Sequence, residues 1–241
     1  MVLFFCIPIS GWAQSSSWQV GEELTYKVNW GFLNLGTLYY RVIDSTDYKG
    51  EWVYRVSLKI DSSPYVFFVS MHYYYESYIT KDFHPKYFFG DELDGGKRIR
   101  YRYYFDQKEA KIYSEVSLPN DTVNYQKKEF PMPNPVQDGM SLINYARGNV
   151  YQTKSETVSA FYNLKYGEVL INFVNTRTPL HLDAFTGPIE GVELNGSTSI
   201  KAIAGFSGAY QGWFSPDGRA VPLLAKMKVF IGSVTVELVS W

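Results

Sequence analysis

The stretch "RIRYRYYF", from Arg98 to Phe105, decides the fold class of this chain. Its even-numbered residues are arginines and one tyrosine, and its odd-numbered residues are isoleucine, tyrosine and phenylalanine. Successive side chains of a β-strand point to opposite faces, so this alternation predicts a strand with one buried and one solvated face.

The same alternation recurs along the chain, in the stretches 24–30, 52–60, 221–229 and 234–238. Turn sequences such as "LDGGK" at Leu93 and "SPDGR" at Ser215 separate these stretches. Strands at this spacing predict an all-β, mainly antiparallel sandwich or barrel. In the stretch "MHYYYESYI", from Met71 to Ile79, the alternation predicts that Tyr73 and Tyr75 are more buried than Tyr74 and Glu76.

One segment, "QDGMSLINYARGN", departs from the β pattern and predicts a single short helix. Asp138 is a suitable N-cap, apolar residues follow over two turns, and Arg147 with Gly148 is a typical C-terminal stop. An amphipathic helix on a curved sheet either covers a cavity as a lid or fills the core as a plug. The sequence leaves both alternatives open.

The composition favours a folded, β-rich chain and gives no electrostatic reason to expect nucleic acid as a partner. Aromatic residues make up 18% of the 241 residues, with 21 tyrosines, and the formal net charge is −1. Apart from the N-terminal run, no apolar stretch approaches the roughly 18 residues of a membrane helix, so no transmembrane span is expected.

The N-terminus has the pattern of a secretory signal. The apolar run from Val2 to Trp12 has the length of a signal-peptide core, although it lacks a basic segment before it. Small residues before Gln14 predict cleavage after Ala13, which gives a signal peptide of residues 1–13 and one β-rich domain over 14–241. The alternative is a buried first strand. Cys6 is the only cysteine, so cleavage would leave a mature chain without a disulfide.

No motif of a metal or cofactor site emerges. The three histidines have no ligand spacing, and the acidic segment at Asp91, Glu92 and Asp94 is typical of a solvated hairpin tip. We therefore predict no metal and no cofactor.

Catalytic patterns are equally weak. The carboxylate pairs Asp44/Asp47 and Glu190/Glu193 are candidates for a glycan-acting enzyme, but both lie beside turn residues. The arginines of the opening stretch either bind an anion or pair across strands with acidic residues such as Glu92 or Glu115, and we favour pairing.

Three segments resemble the domain of unknown function 3108 family of exported Gram-negative envelope proteins. They are "GEELTYKVNWGFLNLGTL", "QDGMSLINYAR" and "FSPDGRAVPLLAKMKVFIGSVTVEL", in order along nearly the whole mature chain. The resemblance implies one large curved or partly closed sheet, a half-barrel with a single helix, in the periplasm. It implies no established activity and no catalytic residues.

The aromatic content suggests a function without catalysis. A curved sheet lined by aromatic side chains can enclose a lipid or acyl chain, although each residue is equally compatible with an ordinary core. The candidate lining residues are Trp30, Trp52, Tyr54, Tyr101, Tyr103, Phe105 and Met227. The alternative is a structural or adaptor protein of the envelope that acts through protein contacts. The expected location is the periplasm, in association with the outer membrane. A glycan-acting enzyme ranks last.

Overall fold

The computed structural model describes residues 19–66, 70–133, 135–200, 208–229 and 232–241, apart from the side chain of Thr122. The predicted signal peptide lies outside these residues. The described elements are, in chain order, β1 (Glu23–Trp30), β2 (Leu33–Tyr48), β3 (Glu51–Ser62), β4 (Met71–Thr80), β5 (Pro85–Asp94), β6 (Lys97–Asp106), β7 (Lys111–Leu118), β8 (Asp121–Pro131), β9 (Val136–Gln137), α1 (Gly139–Asn149), β10 (Lys154–Tyr162), β11 (Lys165–Leu180), β12 (Ile189–Thr198), β13 (Gly208–Phe214), β14 (Pro222–Lys228) and β15 (Ser233–Ser240).

The strands form one 15-stranded sheet in the order β8-β7-β6-β5-β4-β3-β2-β1-β15-β14-β13-β12-β11-β10-β9. Neighbouring strands are antiparallel, except for the short parallel pair of β9 and β10. The end strands β8 and β9 are not paired with each other, so the sheet does not close. The prediction of one partly closed, mainly antiparallel sheet with a single helix is confirmed for the described residues.

The two faces of the sheet differ as the alternation predicts. We call the face against which α1 packs the inner face, and the other the outer face. Tyr73, Tyr75, Tyr101 and Tyr103 are buried on the inner face, whereas Tyr74 is exposed on the outer face. The predicted order of burial in β4 is therefore confirmed.

The prediction that Trp52 is buried with the other residues of its alternating stretch is wrong. Trp52 lies near the start of β3, opposite Asp47, and 61% of its surface is exposed. Val53, on the opposite face, is fully buried. Alternation gives the face of a side chain but not whether other residues cover that face at the end of a strand.

The inner face carries two hydrophobic clusters. The larger one lies mainly under the strands of the N-terminal half and includes Tyr26, Leu58 and Phe88. The smaller one lies under β10 to β13 and includes Phe173 and Leu194. Because α1 contributes Met140 to the first cluster and Leu142 to the contacts of the second, the helix joins the two halves.

Aromatic side chains connect the two ends of the sheet. The ring of Phe130 in β8 lies 5.1 Å from that of Phe161 in β10, which in turn lies 5.0 Å from the rings of Tyr103 and Tyr166. We call these four residues the aromatic seam. The unclosed sheet is thus held together at this point by side-chain packing.

Candidate functional site

Helix α1 fills the lower part of the inner face, where lower denotes the end of the sheet at which β1 begins. At its N-terminus the carboxylate of Asp138 accepts hydrogen bonds from the backbone of Met140 and Ser141 and from the hydroxyl of Ser77 in β4 at 2.6 Å. Ser141 completes a capping box by accepting a bond from the Asp138 backbone. Burial raises the pKa of Asp138. The cap therefore ties the helix to the middle of the N-terminal half-sheet.

The other end of α1 is tied down by a buried ion pair. Arg147 donates to both carboxylate oxygens of Glu22, at 2.7 and 2.9 Å, and also to the carbonyl oxygens of Arg219 and Ala220. The Arg147 side chain has no exposed surface. Burial opposes its charge, yet Tyr40 and Glu22 raise the pKa of Arg147. With both ends bound and its inward side chains buried, the helix is a plug of the core.

The upper part of the inner face carries a row of apolar side chains in which all but one are partly exposed. Tyr210, Met227, Val234 and Trp30 are direct cross-strand neighbours on β13, β14, β15 and β1, and of these only Val234 is buried. The row beneath contains Ala225, Val236 and Val28, which are also half buried. Together these residues form what we call the upper trough: Val28, Trp30, Tyr210, Ala225, Met227, Val234 and Val236.

A carboxylate surrounded by phenols lies on the same face of the N-terminal half. Glu92 in β5 accepts hydrogen bonds from Tyr75 at 2.7 Å and from Tyr162 at 3.3 Å, and Tyr101 also bonds to it. Burial raises the pKa of Glu92, and the phenol hydrogen bonds only partly counteract it. Because Tyr162 comes from β10, this phenol cluster joins the two halves of the sheet.

The family assignment rests on nearly the whole chain. A family model described as "Protein of unknown function (DUF3108)" matches residues 25–239. The chain belongs to the DUF3108 family. The predicted resemblance is therefore confirmed. No curated protein matches this DUF3108 chain.

One solved structure supports the architecture. A β-barrel-like protein of domain of unknown function DUF1849 from Brucella abortus is similar, with 11% identity, 90% of this chain and 95% of that chain covered, and a TM-score of 0.55. At that identity the likeness concerns the fold alone. A candidate exported protein with a YmcC-like fold from Bacteroides fragilis has 8% identity and a TM-score of 0.39, and the match covers 92% of this chain and 95% of that chain. Among the described residues of the DUF3108 chain, no helix has the length and apolar character needed to cross a membrane.

The seven predicted lining residues separate into three groups in this DUF3108 structure. Tyr101, Tyr103 and Phe105 are buried in the larger cluster, and Tyr54 packs against it. Trp30 and Met227 come together in the upper trough, flanking Val234. Trp52 lies at the exposed start of β3. Whether any of them binds a ligand stays a prediction.

The arginines of the opening stretch pair across strands, but one predicted partner is wrong. Arg102 contacts Glu115 at 3.5 Å, whereas Arg98 and Arg100 both bind Asp91, at 2.6 and 3.0 Å. Glu92 points to the opposite face, as alternation with Asp91 requires. The interpretation of the acidic segment as a hairpin tip is also wrong, because Asp91 to Asp94 belong to β5 and the turn is Gly95–Gly96.

The candidate catalytic carboxylates have structural partners. Asp44 binds Arg55 at 2.9 Å, and Asp47 accepts a hydrogen bond from the backbone of Gly50. Glu190 pairs with Arg177 at 2.7 Å, and Glu193 accepts from Gln211. Within the described ranges, no group of three or more metal-ligating side chains lies together.

Sequence reasoning missed the phenol cluster and the position of Glu92. A signal for Glu92 was present, because a period of two from buried Phe88 and Gly90 places residue 92 on the inner face. Tyr162 carried no comparable signal, since its contact with Glu92 depends on how the two sheet halves pack.

Proposed function

We propose that this chain is an exported, non-catalytic binding protein of the cell envelope that holds an apolar ligand, such as a lipid or acyl chain, in the upper trough. One observation carries the proposal: partly exposed apolar side chains, Tyr210, Met227 and Trp30, lie beside buried Val234 on the inner face of a curved sheet, where soluble proteins normally bury such residues. Covering apolar surface is favourable by roughly 25 cal/mol per Å², so an acyl chain along this row would be stabilised.

The position of α1 defines where such a ligand would lie. The helix occupies the lower inner face, with Arg147 bound to Glu22 at the start of β1. The upper trough lies at the opposite end of the same strand, around Trp30, of which 38% is exposed. A ligand would therefore enter from the upper end and rest above the plug.

Export into the periplasm is part of the proposal. It is supported by the apolar run from Val2 to Trp12 and by the envelope proteins that the sequence resembles. Association with the outer membrane would bring the trough close to lipids. The proposal involves no catalytic step.

A second candidate is an adaptor that acts through protein contacts, and the edge strand β8 favours it. β8 has 11 residues and pairs only with β7 in the described sheet, so one of its edges offers backbone groups to an added strand. Lys127 and Lys128 on this strand are typical of edges protected against such pairing, which places this candidate second.

The experiment that tests the leading proposal is a titration of the mature protein with dansyl-labelled undecanoic acid, followed by its fluorescence. We expect saturable binding that Met227→Lys and Val28→Lys weaken about tenfold or more, because each places a charge in the apolar row. In parallel, native mass spectrometry of protein purified from its own envelope should show a bound lipid.

The matched control is Leu118→Lys, which replaces an exposed leucine at the upper end of β7, outside the trough. It should bind the probe as the unchanged protein does. Absence of saturable binding, or an equal loss in the control variant, would count against the trough. Purification without lipid would count against a carrier.

A further inference from the structure

The outer face of the N-terminal half carries four tyrosines in one continuous row. Tyr78, Tyr87, Tyr104 and Tyr113 are direct cross-strand neighbours on β4, β5, β6 and β7. The ring centroids of Tyr78 and Tyr87, and those of Tyr87 and Tyr104, are 5.3 Å apart, and all four side chains are half buried. At about 4.8 Å between strands, the row is roughly 14 Å long. We call it the outer tyrosine row.

The row leads into a cleft beside the edge strand. This outer cleft has a volume of about 320 Å³, which is at the lower end of the range for small-molecule sites. Two rings of the row contribute to it, together with polar and charged side chains of β7 and β8. The lining residues are Tyr104, Tyr113, Ser114, Glu115, Lys127, Lys128 and Glu129.

Most charges around the cleft are paired with one another. Lys127 contacts Glu115 at 3.2 Å, and Lys111 contacts Glu129 at 2.9 Å. Arg102 also lies 3.5 Å from Glu115. The cleft therefore offers no strong excess of either sign that would attract an anionic membrane or a polyanion.

The phenols of the row are neutral at physiological pH. Burial raises the pKa of Tyr87 to about 12 and raises the pKa of Tyr78 and Tyr104 as well. Each phenol hydroxyl both donates and accepts hydrogen bonds. Cationic side chains lie over three of the rings, Arg55 over Tyr78 and Lys49 over Tyr104 at 5.6 Å, and Lys111 over Tyr113 at 5.9 Å. The carboxylates and ammonium groups at the cleft add directional hydrogen-bond partners.

We propose that the outer cleft and the outer tyrosine row bind an uncharged carbohydrate chain. Sugar rings combine C–H faces, which pack on aromatic rings, with hydroxyls that need many donors and acceptors. That chemistry matches alternating phenols and paired charges on an open surface. A protein partner would require a more apolar, fully desolvated centre than these half-buried rings provide. This site lies on the face opposite the upper trough and is independent of the proposed apolar ligand.

The test is isothermal titration of the mature protein with chitohexaose and with maltohexaose, both uncharged. We expect saturable binding of at least one of them, with an affinity that is nearly the same at low and high salt. Tyr104→Ala should weaken it about tenfold, as expected for the loss of one aromatic contact. Lys127→Ala, at a side chain that is 77% exposed, should also weaken it without affecting folding.

The matched control is Tyr74→Ala, which removes an exposed outer-face tyrosine of β4 that lies outside the row. It should bind as the unchanged protein does. Several outcomes would overturn the proposal: no saturable binding of either hexasaccharide, an equal loss in Tyr74→Ala, binding abolished by salt, or binding only to phosphatidylglycerol vesicles. Because Lys127 is exposed, its substitution should not affect folding. Unchanged affinity in both single variants, Lys127→Ala and Tyr104→Ala, would therefore also overturn the proposal.

Discussion

At the scale of single residues, the pair of Arg147 and Glu22 connects positions that are 125 apart in the chain. Both side chains are almost completely removed from water. A buried charge that loses its partner is strongly destabilising, because the remaining ion is neither hydrated nor compensated. We therefore expect Glu22→Gln to lower the free energy of unfolding by about 3–5 kcal/mol, measured by urea denaturation.

The neighbouring residue provides the control for this prediction. Glu23 also pairs with an arginine, Arg41, but more than half of each side chain is exposed. Exposed ion pairs contribute between about 0 and 1 kcal/mol, so Glu23→Gln should change the unfolding free energy by less than about 1 kcal/mol. Similar effects of the two substitutions would show that burial of the Glu22 pair is not what stabilises the helix.

Asp91 and Glu92 are adjacent in sequence but should affect stability with opposite signs. Burial raises the pKa of Glu92, so its contribution is fully present below its unfolded pKa of about 4.3 and is lost as pH rises through the folded value. For Asp91, burial acts in the same direction, but hydrogen bonds from Arg98 and Arg100 outweigh it and lower the pKa. Its contribution is present above about 3.9 and is lost as pH falls.

Two substitutions test this sign difference. At pH 7 Glu92→Gln should raise the urea midpoint, and Asp91→Asn should lower the unfolding free energy by on the order of 1 kcal/mol. At low pH, where the carboxyls are protonated in both states, both variants should approach the unchanged protein. Shifts of the same sign at pH 7 would contradict the assignment of the two faces.

Residue-level expectations succeeded where alternation alone decides the outcome. The burial of Tyr73 and Tyr75 follows from the period of two, and so does the pairing of the outer-face arginines across strands. The partner of Arg98 could not be predicted, because one sequence does not give the register between β5 and β6. Asp91 and Glu92 differ by one position, and that difference exchanges the faces.

At the scale of elements, the helix α1 illustrates what local signals can determine. Asp138 is the N-cap, as its side-chain chemistry predicts. The expected stop at Gly148 is wrong, since the helix continues to Asn149 with Val150 as its C-cap. Whether the helix is a lid or a plug depends on contacts with Ser77 and Glu22, which no local pattern contains.

Gly148 is required by packing, and this leads to a prediction about the helix. A methyl group at this position would overlap the ring of Phe83. Alanine favours a helix by about 1 kcal/mol over glycine, but overpacking costs about 1–3 kcal/mol. We expect overpacking to dominate, so that Gly148→Ala lowers the melting temperature in a thermal scan.

The first residue of the same helix is the control for Gly148. A methyl group at Gly139 would have no neighbouring atom within 4 Å. Gly139→Ala should therefore leave stability unchanged or raise it by up to about 1 kcal/mol. A gain in both variants would mean that Phe83 moves aside and that the helix is less tightly packed than the structure indicates.

At the scale of the whole molecule, neighbouring strands pair regularly, but the end strands β8 and β9 do not pair with each other, so the sheet stays open. The sequence predicts the antiparallel strands and, through the family resemblance, the partly closed sheet. It does not predict that α1 and the aromatic seam would hold the halves together, because Phe130 and Phe161 meet only after the sheet has curved. For the same reason, the sequence did not predict that Trp30 and Met227 would lie in the upper trough, apart from the other five predicted lining residues.

The aromatic seam should control how easily the two ends of the sheet separate. Phe161 is buried between Tyr103 and Phe130, and truncating a buried phenylalanine costs about 3–5 kcal/mol. Because β8 pairs with only one neighbouring strand, we expect Phe161→Ala to accelerate amide hydrogen exchange in β8 beyond its global effect. Phe173→Ala, in the smaller cluster, should cost a similar amount without this preference for β8. Amide hydrogen exchange measured by mass spectrometry distinguishes the two variants. Equal protection of β8 in both would mean that the sheet unfolds as one unit. The aromatic seam would then not hold β8 in place independently of the rest of the sheet.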